Sequence, residues 1–176
     1  MAENTQKIDN SAIIEAIAEM RKAFNAETQN KVINIALKSS FYVPAVLEKN
    51  TELVADADNH VKFENKQKAK FLLIKHKDKG SFYPVFTDLE SLNQLKSDQK
   101  YVPFTMKFSD IAGLTENTPN VAGFVINPFT HNLPFTKEML ESIKQTLIRV
   151  KQERDAAKAA DEAKAPNITT TTNENA

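Results

Sequence analysis

Cysteine is absent from the 176-residue sequence. Disulfides, thiolate nucleophiles and cysteine-based zinc or iron–sulfur sites are therefore excluded, and the composition suits a reducing cytoplasm. Glycine is scarce: Gly80, Gly113 and Gly123 are the three present, and no two are close. Phosphate loops of the Walker or dinucleotide type need neighbouring glycines so that backbone amides can approach the ligand, so neither occurs. His60, His76 and His131 are widely separated, with no HExxH or comparable ligand spacing. There is no GxSxG elbow, and no serine has a neighbouring histidine. A net charge is also missing, because Lys+Arg and Asp+Glu both number 23. Nucleic-acid binding draws on a basic excess to neutralise phosphate, so such a partner is disfavoured. The lysines at 66, 68, 70, 75, 77 and 79 are read as blunting a sheet edge or solvating a loop. No segment approaches the roughly 20 apolar residues of a membrane span. The opening MAENTQKIDN has no apolar core of a signal peptide, so the expected location is cytoplasmic, away from membranes. Without an export signal, the sequon at Asn167-Ile168-Thr169 is read as chance.

What is present reads as one domain of ordinary globular composition, 41% hydrophobic and 26% charged. Asn10 or Ser11 caps a first helix carrying the stripe Ile13, Ile17, Met20 and Phe24. A second helix is expected over 29–38, with Val32, Ile33, Ala36 and Leu37 inward. FYVPAVLE (41–48) reads as a strand whose Pro44 indicates an edge or a bulge. Residues 51–67 are polar and read as irregular; Asp56, Asp58 and Asn59 hint at a calcium loop that lacks its glycine and distal glutamate. KFLLIKH (70–76) and SFYPVF (81–86) read as a hairpin turning through Gly80, the first strand being central.

Thr87-Asp88-Leu89-Glu90 has the spacing of a capping box, with Thr87 as cap and Leu89, Leu92 and Leu95 facing the sheet. On that reading Thr87→Ala costs roughly 1 kcal/mol. A short strand at 101–104 and one or two helical turns at 107–114, closed by Gly113, follow. VAGFVINP (121–128) is a buried strand ended by a turn, and 129–135 is a loop or short strand. Thr136 caps a last helix striped by Leu140, Ile143, Leu147 and Val150. Residues 151–164 extend it with high helix propensity and no large apolar side chain, and 165–176 form a polar tail expected to be disordered.

Three short motifs carry a resemblance. Tyr42-Val43-Pro44, then Pro84-Val85-Phe86-Thr87-Asp88, then Ile126-Asn127-Pro128, in this order and spacing, resemble the N-terminal domain of the SseB (enhanced serine sensitivity) family over roughly residues 30–147. The resemblance implies an α+β domain: a small mixed β-sheet of about five strands packed by helices, with the long C-terminal helix behind it. Its expected extent is 1–150, with a helical extension over 151–164. The family name records a serine-tolerance phenotype and brings no catalytic residues with it. The separate C-terminal domain of longer members is not expected in this chain.

Strands 81–86 and 121–126, if parallel neighbours, bring their carboxyl ends to one rim, where ligands of α/β sheets often bind. The candidate binding rim is therefore Tyr83, Phe86, Thr87, Asp88, Asn127 and Pro128. Strand alternation sends Phe82, Pro84 and Phe86 to the core and leaves Tyr83 as the exposed contact. Capping explains Asp88 and Glu90 without catalysis. The expectation is a non-enzymatic interaction or regulatory domain with a protein partner, no catalytic residues, no metal and no cofactor. The alternative is a small-molecule sensor or enzyme with a pocket near Thr87, Asp88 and Asn127.

Overall fold

The computed structural model describes residues 7–55 and 61–163, of which 49–55 and 61–67 are described by their backbone. The calcium-loop hint at Asp56, Asp58 and Asn59, together with His60 and the tail with its sequon, lies outside the described residues.

Among the described residues twelve elements follow one another: α1 (Ser11–Lys22), α2 (Ala26–Ala36), β1 (Ser40–Ala55), β2 (Val61–Phe71), β3 (Ile74–His76), β4 (Gly80–Val85), α3 (Leu89–Leu92), β5 (Val102–Lys107), α4 (Phe108–Asn117), β6 (Val121–Ile126), β7 (Leu133–Thr136) and α5 (Lys137–Ala163). The class is the α+β one expected, with mixed strands and a long C-terminal helix. The strands form a three-stranded sheet of order β2-β1-β5 and a four-stranded sheet of order β3-β4-β6-β7, in which only β4 and β6 are parallel. The chain divides into two compact units at the junction of Lys137 and Glu138.

One local arrangement joins the sheets. β1 pairs with β2 only from Ala45 onward. Below that point Leu72 N donates to Pro44 O at 3.0 Å, and β3 begins pairing with β4 at Ile74. The run KFLLIKH is therefore not one central strand. It changes partner, from β1 to β4, between Phe71 and Ile74. The edge of β1 that β2 leaves open is taken by Phe86: Tyr42 N donates to Phe86 O at 2.8 Å and Phe86 N to Tyr42 O at 2.9 Å.

Pro44 was expected at an edge or a bulge and instead lies in the central strand of its sheet, in unbroken register with β5. It stands opposite Pro103 of β5. Two prolines cannot exchange N–H bonds, so this is a non-hydrogen-bonded pair. The carbonyl of Pro44 then faces the other side, where it receives Leu72. Residues 51–55 and 61–67 are likewise paired strand, not irregular chain, with Leu53 opposite Phe63 and Ala55 opposite Val61. Backbone pairing tolerates the polar residues between.

Both faces of the parallel pair are covered. On one, Phe108 of α4 meets Phe124 and Phe135 with ring centroids 5.4 and 5.3 Å apart, and Phe124 stacks on Phe135 at 5.2 Å. Burying each such ring is worth about 1.5–3 kcal/mol. On the other, Tyr42, Phe86, Leu92 and Leu95 form a buried cluster with Ile8, Leu72, Ile74 and Tyr101 against it. Tyr101 Oη secures the chain after α3 by donating to Leu95 O at 2.8 Å.

Several helix details differ from expectation. Phe24 is exposed, because α1 ends at Lys22. Leu89 is exposed while Leu92 and Leu95 are buried. Gly113 lies inside α4, not at its end. On α5, Leu147 and Val150 of the expected stripe are exposed. Among the described residues no helix is long and apolar enough to cross a membrane.

Candidate functional site

β4 and β6 run parallel, in steady register from Phe82 beside Gly123 to Val85 beside Ile126, so the residues that follow them meet at one rim. Asn127 N donates to Val85 O at 2.8 Å, which continues the ladder one residue past β6. Asn127 then adopts φ 48, a left-handed conformation that asparagine tolerates better than most residues. The chain turns there, and Asn127 O accepts from Thr130 N at 3.1 Å and Asn132 N at 2.7 Å.

The buried side chain of Asn127 reaches across to Thr87. Thr87 N donates to Asn127 Oδ1 at 3.1 Å, and Asn127 Nδ2 donates to Thr87 Oγ1 at 2.9 Å. Thr87 Oγ1 in turn donates a hydrogen bond to Asp88 Oδ2 at 2.7 Å. Thr87 O accepts from Asn10 Nδ2 at 2.9 Å, and the same amide group donates to Ser40 O at 2.9 Å. Asn10 sits at the N-cap of α1 without capping it; its side chain ties the start of α1 to the rim. Both Thr87 and Asn127 thus have all their polar groups engaged within the protein, as burial requires.

The helix cap falls one residue later than the expected capping box places it. Asp88 is the N-cap of α3, and its Oδ1 accepts from Ser91 N at 2.7 Å. The Thr87 amide, expected to bind Glu90, binds Asn127. Threonine is drawn inward because its hydroxyl completes the Asn127 contact, and the charged residue after it is left to cap. Burial by itself would raise the Asp88 carboxyl. Hydrogen bonds from Thr87 and from the Ser91 amide and hydroxyl outweigh that, with help from the charge of His131, and hold it below 3.8.

His131 completes the cluster, its Nδ1 lying 3.1 Å from Asn127 Nδ2 and 3.1 Å from Thr130 Oγ1. Partial burial and the charge of Arg21 lower its pKa below 6.5, against the opposing pull of Asp88. The sequence reading placed His131 in a loop without connecting it to the rim. The available signal was its place four residues after Asn127 in a turn.

Phe86 belongs to the rim through its backbone, but its side chain is core. Pro128 follows Asn127 into the turn, half-buried. Tyr83 does not join them. It was expected to be exposed, yet it is 5% exposed, its hydroxyl 2.9 Å from Thr118 Oγ1 and its ring edge-on to Phe71. Strand alternation exposes one face only where that face is uncovered, and β4 is covered on both. Two apolar side chains do point outward beside the network: Leu89, and Phe129, which is 51% exposed with its ring stacked on Phe86 at 6.3 Å.

The motifs Tyr42-Val43-Pro44, Pro84-Val85-Phe86-Thr87-Asp88 and Ile126-Asn127-Pro128 are therefore in direct contact, through the Tyr42–Phe86 bridge and the Thr87–Asn127 pair. Comparison with curated proteins and with solved structures found no match. Comparison with family models matches the SseB protein N-terminal domain over residues 13–142. The chain belongs to the SseB N-terminal domain family.

Proposed function

We propose that this domain is a cytoplasmic, non-enzymatic module that acts by binding a protein partner, and that the contact lies beside the rim, on Leu89 and Phe129. The supporting observation is the setting of Phe129. A half-exposed aromatic ring rests on the buried ring of Phe86, two residues after the fully hydrogen-bonded Asn127. Rigidly presented aromatic side chains are the usual anchors of protein interfaces, since little side-chain entropy is lost when they are covered. Thr87, Asp88 and Asn127 support the reading indirectly. Their hydrogen bonds are made to one another and to neighbouring protein groups, which suits a frame better than the substrate pocket considered as the alternative.

The test is affinity capture from lysate of the source cells, comparing the wild-type chain with a Leu89→Glu, Phe129→Glu double variant of unchanged melting temperature. The reading expects a reproducible protein partner on the wild type that is lost from the variant. The same proteins on both, or none on either, would refute it.

A further inference from the structure

We propose that His131 is a proton-operated latch: a proton on its Nδ1 breaks the contact with Asn127 and loosens the turn 127–132 that carries Phe129. The consequence for binding rests on the reading of Phe129 as a contact; the latch itself does not.

The argument starts from an orientation that is fixed. The backbone N–H of Thr87 is buried and needs an acceptor, so Asn127 must present Oδ1 to it. The amide nitrogen Nδ2 then faces Thr87 Oγ1 and His131 Nδ1. An amide nitrogen donates and does not accept, so His131 Nδ1 is the acceptor. The ring is neutral and carries its proton on Nε2. Thr130 Oγ1, 3.1 Å from the same nitrogen, is free to rotate its proton toward it and strengthens the same assignment.

Adding a proton to Nδ1 places N–H against the N–H of Asn127, and neither can accept. Thr130 must also reverse its hydroxyl. Two charged groups bear on the cation, Arg21 at the end of α1 and Asp88 at the start of α3. Arg21 opposes it and Asp88 attracts it. The protonated ring therefore gains by turning from Asn127 toward Asp88, while burial and Arg21 defer the event to below pH 6.5. Phe129 lies between Asn127 and His131 in the chain, so a reoriented His131 changes the support of its stack on Phe86. The backbone bonds to Asn127 O survive, which makes this a local loosening and not an unfolding.

The test is a titration of the full chain by nuclear magnetic resonance from about pH 8 to about pH 5, which brackets the ordinary histidine range. At the upper end the His131 ring nitrogens should report the Nε2–H tautomer. On acidification the Asn127 side-chain amide and the Phe129 ring should shift with the midpoint of His131, and exchange of the Asn127 side-chain protons should accelerate several-fold beyond the intrinsic change with pH. In His131→Leu those coupled shifts should vanish. An Nδ1–H tautomer at neutral pH overturns the latch. So do Asn127 and Phe129 signals that stay flat while His131 titrates, or that still shift together in the variant. The wild-type titration decides the matter even if the variant fails to fold. It uses no partner, so failure of the contact reading and failure of the latch are separate outcomes.

Discussion

Thr87 and Asn127 hold each other reciprocally: the amide of Thr87 donates to Asn127 Oδ1 at 3.1 Å, and Asn127 Nδ2 donates to the Thr87 hydroxyl at 2.9 Å. The pair joins the ends of two parallel strands at the last bond of their ladder, Asn127 N to Val85 O, and both residues are buried. Removing either leaves a buried donor or acceptor without a partner, a penalty of about 1–3 kcal/mol. These bonds fix Thr87 and Asn127 to each other, and Leu89 and Phe129 each follow two residues later in the chain.

The position of the cap separates two readings of one tetrapeptide. With Asp88 capping α3 through Ser91, Asp88→Ala should cost about 1 kcal/mol. Glu90→Ala, at an exposed site, should stay within about 0.5 kcal/mol. Urea denaturation of the two variants measures both. Equal losses would restore the capping box centred on Thr87.

Two glycines should respond in opposite directions. Gly113 lies within α4, and a Cβ built there meets nothing within 4 Å, so Gly113→Ala should stabilise by about 0.5–1 kcal/mol. At Gly123 a Cβ would stand 2.1 Å from the carbonyl oxygen of Phe135 across the β6–β7 pair. Gly123→Ala should therefore cost about 2 kcal/mol or more, since the backbone must move apart. Thermal melts of the two proteins report the signs.

Stability should fall in two acid steps. The lowered pKa of His131 means that the folded state takes up its proton later than the unfolded chain. That contribution is whole above pH 6.5 and is lost as pH falls through the depressed folded value. Asp88 follows the usual carboxylate sign: its contribution is present above pH 3.8 and disappears as pH drops through its lowered folded value. His131→Leu should remove the first step and keep the second, as read from denaturant midpoints across the acid range.

The fold class, the hairpin through Gly80 with φ 90 and the buried strand 121–126 were legible because they rest on local signals: periodicity, turn chemistry and length. The rim was half legible. Strands 81–86 and 121–126 read as parallel neighbours, with an Asn-Pro stop, indicated that Thr87, Asp88 and Asn127 converge. What those side chains do there depends on contacts across 40 residues, which no local pattern encodes. The same limit explains Thr87, whose hydroxyl reads as a cap until Asn127 is seen to need it. Tyr83 and Pro44 were misread because exposure and edge position are set by what the rest of the chain lays over them. Residues 51–55 and 61–67 were misread as irregular because a polar run carries little local strand signal, whereas backbone pairing does not depend on it.

The reciprocal pair can be weighed directly with a double-mutant cycle of Thr87→Val and Asn127→Gly. Glycine accepts the φ of 48 at that site, and its remaining backbone effect cancels in the cycle. Denaturant midpoints of the four proteins should give a coupling energy between about 0.5 and 3 kcal/mol. Strict additivity of the two single losses would mean that Thr87 and Asn127 stand side by side without holding the rim together.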